Sequence, residues 1–176
     1  MRISKSIIYL FIFILSISGS FSLAEDYSDS DITKVVMLGS GNPFPDPKRS
    51  GPSVAIVVNG VPYLFDAGAG VWQATGAATP KYGGTIKALE SGNISKVFIT
   101  HLHSDHVVGL PSLILLPWAL GREAPLEVWG PPGTEHMIKH LVEAYREDVG
   151  SRKYGLGQDN DTGWRAVGHN VPKAGL

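Results

Sequence analysis

Short apolar runs, bounded by glycine, proline and asparagine, alternate with polar turns along this chain. Runs of four to six residues rich in β-branched and aromatic side chains are typical of buried strands. The predicted strands are Val35–Leu38, Val54–Val58, Val61–Phe65, Val97–Thr100, Leu126–Trp129 and Ala166–Val171. Two further stretches predict helices: an almost wholly apolar one that starts near Pro111, and an amphipathic one that starts at Thr134. The pattern therefore predicts a chain of mixed strands and helices.

The second and third predicted strands form a hairpin. They flank Asn59-Gly60, a strong signal for a two-residue turn. Because Pro62 has no N–H to donate, we expect the hairpin to lie towards an edge of the sheet. Its second strand leads into Asp66 and the glycine-rich corner Gly68-Ala69-Gly70. Between this corner and Ser91, we expect a loop and then a short helix around Thr85–Leu89.

The strongest chemical signal follows the fourth predicted strand. The apolar run ends in His101, His103, Asp105 and His106. Since His101 and His103 are two residues apart, both rings point to the same side of an extended backbone. Imidazole and carboxylate are ligands that suit zinc, iron or manganese, and burying four such groups without partners would be costly. The stretch therefore predicts a site for one or two metal ions.

The residues from Thr100 to His106 resemble the T-H-x-H-x-D-H signature of the metallo-β-lactamase superfamily. Other segments are similar to its ribonuclease Z and arylsulfatase-like branch. These segments are Leu38-Gly39-Ser40-Gly41-Asn42-Pro43, Arg49-Ser50-Gly51-Pro52-Ser53, Leu64-Phe65-Asp66-Ala67-Gly68 and Gly130-Pro131-Pro132-Gly133-Thr134. The resemblance covers about Lys34 to Arg152. It implies an α/β fold, namely the αβ/βα sandwich of the superfamily. Residues 34–176 resemble only the first half of that domain. A half-domain of this kind is expected to have an exposed sheet face.

The resemblance also implies a division of labour at the site. His101 and His103 would hold one metal ion, and Asp105 and His106 a second. The expected metal is zinc, with manganese or iron as alternatives. Asp105 would orient the attacking water and carry a proton to the leaving group. Asp66 has two interpretations: a carboxylate that orients the metal-binding histidines, which the resemblance favours, or a turn residue that closes the strand.

Three further histidines are candidate ligands. His136 and His140 lie four residues apart on the predicted helix, a spacing that can hold zinc, but Met137 stands where the zinc motif has glutamate, so we expect a solvated pair. His169 either completes a three-histidine face with His101 and His103 or belongs to an earlier strand of the fold. The spacing after the helix favours the second interpretation.

The N-terminus predicts export. Residues 1–24 contain Arg2 and Lys5, the apolar run Ile7–Ile17, and Ser22-Leu23-Ala24. A basic start, an apolar run too short to cross a bilayer comfortably and small residues before the cleavage point predict a secretory signal peptide. An uncleaved membrane anchor is the alternative. Residues 25–33 would form a flexible lead-in, and the mature protein would be periplasmic or secreted.

Composition narrows the expected chemistry and partners. The chain has no cysteine, which excludes disulfides and thiolate zinc sites, and a formal net charge of −1. We expect an exported metal-dependent hydrolase of a small-molecule ester, sulfate ester or phosphodiester. Without a basic surface we expect no nucleic acid partner, and no stable membrane span after cleavage; a homodimer is left open. The alternatives are a non-catalytic metal-binding remnant and a ribonuclease Z-like tRNA 3′-processing endonuclease.

Overall fold

The computed structural model describes residues 32–155 and 160–172, and these form a single six-stranded sheet. The strands follow one another across the sheet in chain order. They are β1 (Lys34–Gly39), β2 (Ser53–Val58), β3 (Val61–Phe65), β4 (Lys96–Phe98), β5 (Leu126–Gly130) and β6 (Ala166–Asn170). The β1–β2 and β2–β3 pairs are antiparallel, whereas β3, β4, β5 and β6 run parallel. The α/β fold class is confirmed.

Five helices connect the strands of the part of the chain that the structure describes. They are α1 (Val71–Ala78), α2 (Ser104–Val107), α3 (Leu110–Ala119), α4 (Thr134–Ala144) and α5 (Arg146–Gly155). Helix α1 replaces the loop predicted there, and the short helix expected around Thr85–Leu89 is a single 3-10 turn at Lys87–Leu89. Val71 and Thr75 of α1 are fully buried, so tertiary packing outweighs the weak helix propensity of this glycine- and threonine-containing segment.

The hairpin turn is confirmed, but its predicted place in the sheet is wrong. Asn59 and Gly60 both have positive φ, 49° and 76°, as a two-residue hairpin turn requires. Strand β3 is nevertheless an interior strand, with β4 beside it. Because β4 pairs only with Leu64 and Phe65, Pro62 lies where the ladder to β4 has not yet begun. Its missing N–H therefore costs no hydrogen bond on that side.

The two faces of the sheet differ sharply. One face is packed under helices, and its core includes Ala55, Leu64, Val97, Leu126 and Val128, all with no exposed surface. Alternate positions point to the opposite face, where Val35 is 69% exposed and Met37 is 66% exposed.

An aromatic ladder crosses that second face, with ring centroids 5.0–5.2 Å apart from Phe65 to Phe98, Trp129 and His169. The predicted open sheet face is therefore present in the described part of the chain.

The N-terminal segment for which export is predicted is not part of the described structure. The signal peptide (1–24) and the lead-in as far as residue 31 lie outside the described residues. Within residues 32–155 and 160–172, no helix has both the length and the apolar character needed to cross a bilayer.

Candidate metal centre

The histidine-rich segment lies at the carboxyl end of the parallel strands. Strand β4 ends at Phe98, whose carbonyl oxygen accepts a hydrogen bond from Asp66 N (2.8 Å), and Ile99 N donates to Trp129 O (2.7 Å). The backbone is still extended at His103, which precedes the first residue of α2. Carboxyl ends of parallel strands are where α/β folds place their sites, so the topology brings β3 and β4 together here.

The four predicted metal ligands form one cluster. The His101 and His103 ring centroids are 4.6 Å apart, with Nε2 of His101 3.1 Å from Nδ1 of His103. The His101 ring centroid also lies 4.0 Å from that of His106. Asp105 Oδ2 is 3.6 Å from His106 Nε2. The spacing of two residues does place His101 and His103 on the same side, and α2 adds the other two groups.

Asp66 lies directly beneath this cluster. Asp66 is only 7% exposed. Its φ of 61° lies in the left-handed region, which aspartate tolerates better than most residues. Oδ2 accepts a hydrogen bond from His106 Nδ1 (2.8 Å), and Oδ1 accepts one from Thr100 N (2.9 Å). The carboxylate therefore contacts one of the three histidines directly. The sequence allowed two interpretations of Asp66, a turn residue and a carboxylate that contacts a histidine. In the structure Asp66 is both.

Thr100 is a site residue whose role the sequence pattern did not indicate. Its hydroxyl lies 2.9 Å from Asp66 Oδ2 and 3.0 Å from Nδ1 of His101. It thus connects the buried carboxylate to a second histidine. The available signal was its position as the first residue of the T-H-x-H-x-D-H match.

Glycines allow the backbone around Asp66 to approach α2. Ala67 N donates to His106 O (2.7 Å), and Gly109 N donates to Ala67 O (2.8 Å). A Cβ atom added to Gly68 would lie 2.7 Å from Asp105 O, and one added to Gly109 would lie 2.4 Å from Gly68 O. Any larger residue at these two positions would push the ligand-bearing helix away from the strand end.

A cleft of about 610 Å³ opens beside Asp105. Its wall is the proline-rich loop 42–51, which carries Lys48 and Arg49. The Arg49 side chain is 60% exposed and lies 3.9 Å from Asp46 Oδ2, and Phe44 is 80% exposed. The cleft therefore offers two cations and an aromatic ring close to the predicted ligands.

The donor set suits a transition metal. Three imidazoles and a carboxylate are borderline ligands of the kind zinc binds. A ligating histidine typically donates its other ring N–H to a carboxylate, as His106 does to Asp66. Among the residues that the structure describes, however, no group of three or more histidine, aspartate or glutamate side chains is arranged to hold a metal ion. His101 and His103 point ring nitrogens at each other instead.

The remaining histidines lie outside the cluster. His169 is on the open face of the sheet, where its ring stacks on Trp129 and its Nε2 is bonded to Glu127 Oε2. The structure thus does not bring it to His101 and His103. His136 and His140 are exposed on α4 and contact each other.

Comparison with known proteins identifies the relatives of this chain. A family model described as Anti-Pycsar protein Apyc1 matches residues 33–127. Ribonuclease Z from Mycobacterium marinum (strain ATCC BAA-535 / M) is 35% identical over 122 residues, which cover 68% of this chain and 40% of that enzyme. Ribonuclease Z from Mycobacterium bovis (strain BCG / Pasteur 1173P2) is 34% identical with the same coverage. The chain spans 40% of the length of these curated relatives.

Solved structures give the same result for the fold. Human tRNase Z, short form, superimposes with a TM-score of 0.57 and 28% identity, over 80% of this chain and 45% of that one. The long form of RNase Z from yeast has a TM-score of 0.56 and 14% identity, over 81% of this chain and 20% of that one. At that identity the likeness concerns the fold alone.

These relatives show that one prediction is wrong. We expected a small-molecule substrate and no nucleic acid, whereas the curated relatives are ribonucleases and the human structure is a tRNase. The expectation rested on the near-neutral formal net charge of −1, on the more acidic charge of the mature chain and on the predicted export. A net charge averages over the whole surface and does not describe a local site: the cleft beside Asp105 is lined by Lys48 and Arg49 together with Asp46.

The family match spans more than half of the chain and includes β1 to β4 and the entire histidine cluster. The ribonuclease Z matches and the superposition on tRNase Z agree with it. The chain therefore belongs to the family described as Anti-Pycsar protein Apyc1, within the ribonuclease Z-like part of the metallo-β-lactamase superfamily of hydrolases.

Proposed function

We propose that this protein hydrolyses phosphodiester bonds in RNA, with divalent metal ions held by the histidine cluster. The observation that carries the proposal is the hydrogen bond from His106 Nδ1 to Asp66 Oδ2, 2.8 Å, beside the paired rings of His101 and His103. A carboxylate behind a histidine is the support that metal-ligating histidines typically have. The ribonuclease relatives favour an RNA substrate over a sulfate ester.

The residues that would hold the metals are His101 and His103 for one ion, and Asp105 and His106 for the second, with zinc as the preferred metal. When bound, the metals supply Lewis acidity, which polarises the phosphoryl group and activates water. The Asp66 carboxylate can only accept hydrogen bonds, so it holds the ring proton of His106 on Nδ1 and leaves Nε2 as the lone-pair donor. Asp105, at the mouth of the cleft, would carry a proton to the leaving oxygen.

The cleft would bind the RNA backbone next to the reacting phosphate. Lys48 and Arg49 supply positive charge for phosphate oxygens. The exposed ring of Phe44 supplies a surface on which an unpaired base stacks. The stacking contact favours single-stranded RNA, because a base must leave its helix to stack on a side chain.

The proposed location is outside the cytoplasm. Its support is the signal-peptide pattern in residues 1–24, with Arg2, Lys5 and the apolar run Ile7–Ile17 before Ser22-Leu23-Ala24. An exported nuclease would meet RNA in the periplasm or outside the cell.

The test is cleavage of labelled RNA by the purified full chain supplied with Zn²⁺ or Mn²⁺. We expect cleavage that a chelator abolishes and that fails in His101→Ala and His103→Ala, while the matched surface variant His136→Ala keeps it. A single-stranded RNA and a precursor tRNA should be compared, because a strong preference for the tRNA would favour the ribonuclease Z-like alternative. Zinc binding without cleavage of either RNA would instead support the non-catalytic metal-binding alternative.

A further inference from the structure

The six histidines of this chain differ in how their ring nitrogens are used. His101, His103, His106 and His169 each have a ring nitrogen within hydrogen-bond distance of a protein group. In the part of the chain that the structure describes, which includes all six, no hydrogen bond or ion pair engages the rings of His136 and His140. Among these six, only these two imidazoles have no hydrogen-bond partner at either nitrogen, and both residues are exposed.

These two rings are also neighbours on a rigid surface. They lie one turn apart on α4, with ring centroids 4.3 Å apart and ring planes at 63°. Side chains four residues apart on a helix lie on the same face. The helix itself is fixed, because Ile138 and Thr134 on its other side are fully buried. The backbone positions of the pair are therefore fixed, and the two rings lie next to each other on the exposed side of the helix.

We propose that His136 and His140 form a second metal site, separate from the histidine cluster, that takes one divalent transition-metal ion. Imidazole suits Cu²⁺, Ni²⁺ and Zn²⁺, and among these the affinity order favours Cu²⁺. Glu143, the next acidic residue along this side of α4, is engaged by Arg146 at 3.1 Å. The two histidines would therefore be the only protein ligands, with water in the other positions.

The site binds metal without catalysing hydrolysis. A helical zinc-protease motif has a glutamate directly after its first histidine, where it acts as general base. Here that residue is Met137. Two protein ligands on an exposed helix also leave the metal exchangeable with solvent, in contrast to a structural site with four ligands. The site would therefore be filled when free transition metal is abundant.

Equilibrium dialysis of the untagged full chain against Ni²⁺ tests the proposal, first in the His101→Ala/His103→Ala/His106→Ala background, which removes every imidazole of the histidine cluster. We expect this variant to bind one equivalent of Ni²⁺ and to lose it when His140→Ala is added. The matched control is His169→Ala, which removes an imidazole already bonded to Glu127 and should leave the equivalent in place. His136→Ala and His140→Ala each replace an exposed residue of α4 with alanine, which has the higher helix propensity, so folding should be unaffected.

Each other outcome overturns the proposal. An equivalent that survives His136→Ala/His140→Ala would place the metal elsewhere, and no binding in the background variant would mean that the pair does not chelate. If that background variant does not fold, the comparison moves to the wild-type chain and His140→Ala alone. There, Cu²⁺ electron paramagnetic resonance should show the loss of one coordinated nitrogen; an unchanged spectrum would contradict the proposal.

Discussion

Nδ1 of His106 lies 2.8 Å from Oδ2 of Asp66, and the two residues come from different elements of the fold. Asp66 directly follows β3, and His106 belongs to α2, which follows β4. The two side chains are only 11% and 19% exposed. In this partly dry setting, a hydrogen bond to a carboxylate is stronger than one at the surface. It fixes both the ring orientation and the tautomer of His106.

This relationship predicts the effect of Asp66→Asn. Asparagine also tolerates the left-handed backbone at this corner and can still accept the hydrogen bond from Thr100 N. It cannot offer two acceptor oxygens or a negative charge, so the contact to His106 is weakened. We expect a normally folded protein with metal affinity or turnover lowered about tenfold to a hundredfold, measured by metal titration and RNA cleavage.

The same variant can reject our interpretation of Asp66. If its melting temperature falls while metal affinity and turnover per folded molecule are unchanged, the aspartate only closes the strand. Asp46→Asn is the matched control, because Asp46 is also an acidic turn residue whose Oδ1 accepts a backbone hydrogen bond, from Lys48 N at 2.9 Å. We expect Asp46→Asn to leave the metal affinity unchanged.

The second prediction separates the two histidine groups. His101→Ala or His103→Ala should abolish tight zinc binding, because each removes an imidazole from the cluster at the strand ends. His136→Ala and His140→Ala should leave tight zinc binding nearly unchanged. They should remove only the more weakly bound metal ion that we propose for the surface of α4. Zinc titration against a competing chelator distinguishes the two classes. If the helix pair matters as much as the cluster, the proposed centre is in the wrong place.

The parts of the fold that local sequence decides were predictable. Asn59 and Gly60 need positive φ, and their residue types show it. The apolar face of α4 and the close pairing of His101 with His103 likewise follow from helical and strand periodicity.

Features set by long-range contacts were not predictable. Asp66 contacts a histidine 40 positions away, and the choice of His106 depends on the parallel pairing of β3 with β4. Pro62 also lies in an interior strand because of a long-range contact: β4 pairs with β3 only from Leu64 onwards. Helix α1 has little apolar periodicity of its own, and it forms because Val71 is buried in the core. Thr100 similarly gains its contacts only after the strands assemble.

The third prediction concerns export. We expect the mature protein to begin at Glu25, because Ser22-Leu23-Ala24 places small residues at both positions that signal peptidase reads. N-terminal sequencing of exported protein measures this directly. Exported protein that still begins at Met1 would rule out cleavage, and precursor retained in the membrane would favour the anchor.

The fourth prediction concerns Arg122, which has no exposed surface. Its guanidinium donates to four backbone carbonyls, those of Ile94, Leu113, Ile114 and Gly163, at 2.6–3.1 Å, and burial lowers its pKa to about 10. Arg122→Met keeps the apolar stem but leaves these carbonyls without donors. We expect a loss of roughly 3–5 kcal/mol in the free energy of unfolding, measured in urea.

The matched control for this variant is Arg146→Met. Arg146 bonds Glu143 and Glu147 at 3.1 Å, but its side chain is 68% exposed. Surface ion pairs contribute about 0–1 kcal/mol, so its unfolding midpoint should hardly move. Equal midpoints for the two variants would mean that water replaces the guanidinium. The hydrogen bonds of Arg122 to α3 and to Gly163 would then contribute nothing to stability.

The last prediction tests the cleft as the path of the RNA backbone. Lys48→Gln and Arg49→Gln each remove one cation beside Asp105 without touching the cluster. The logarithm of affinity falls with the logarithm of salt concentration. For single-stranded RNA, this fall should become less steep by about 0.7 for each phosphate that the protein no longer neutralises. We therefore expect weaker RNA binding at low salt, a shallower slope and unchanged zinc affinity. Lys139→Gln, on the exposed side of α4, removes the same charge away from the cleft. If it lowers the slope equally, the effect comes from net charge, and the cleft does not bind the RNA.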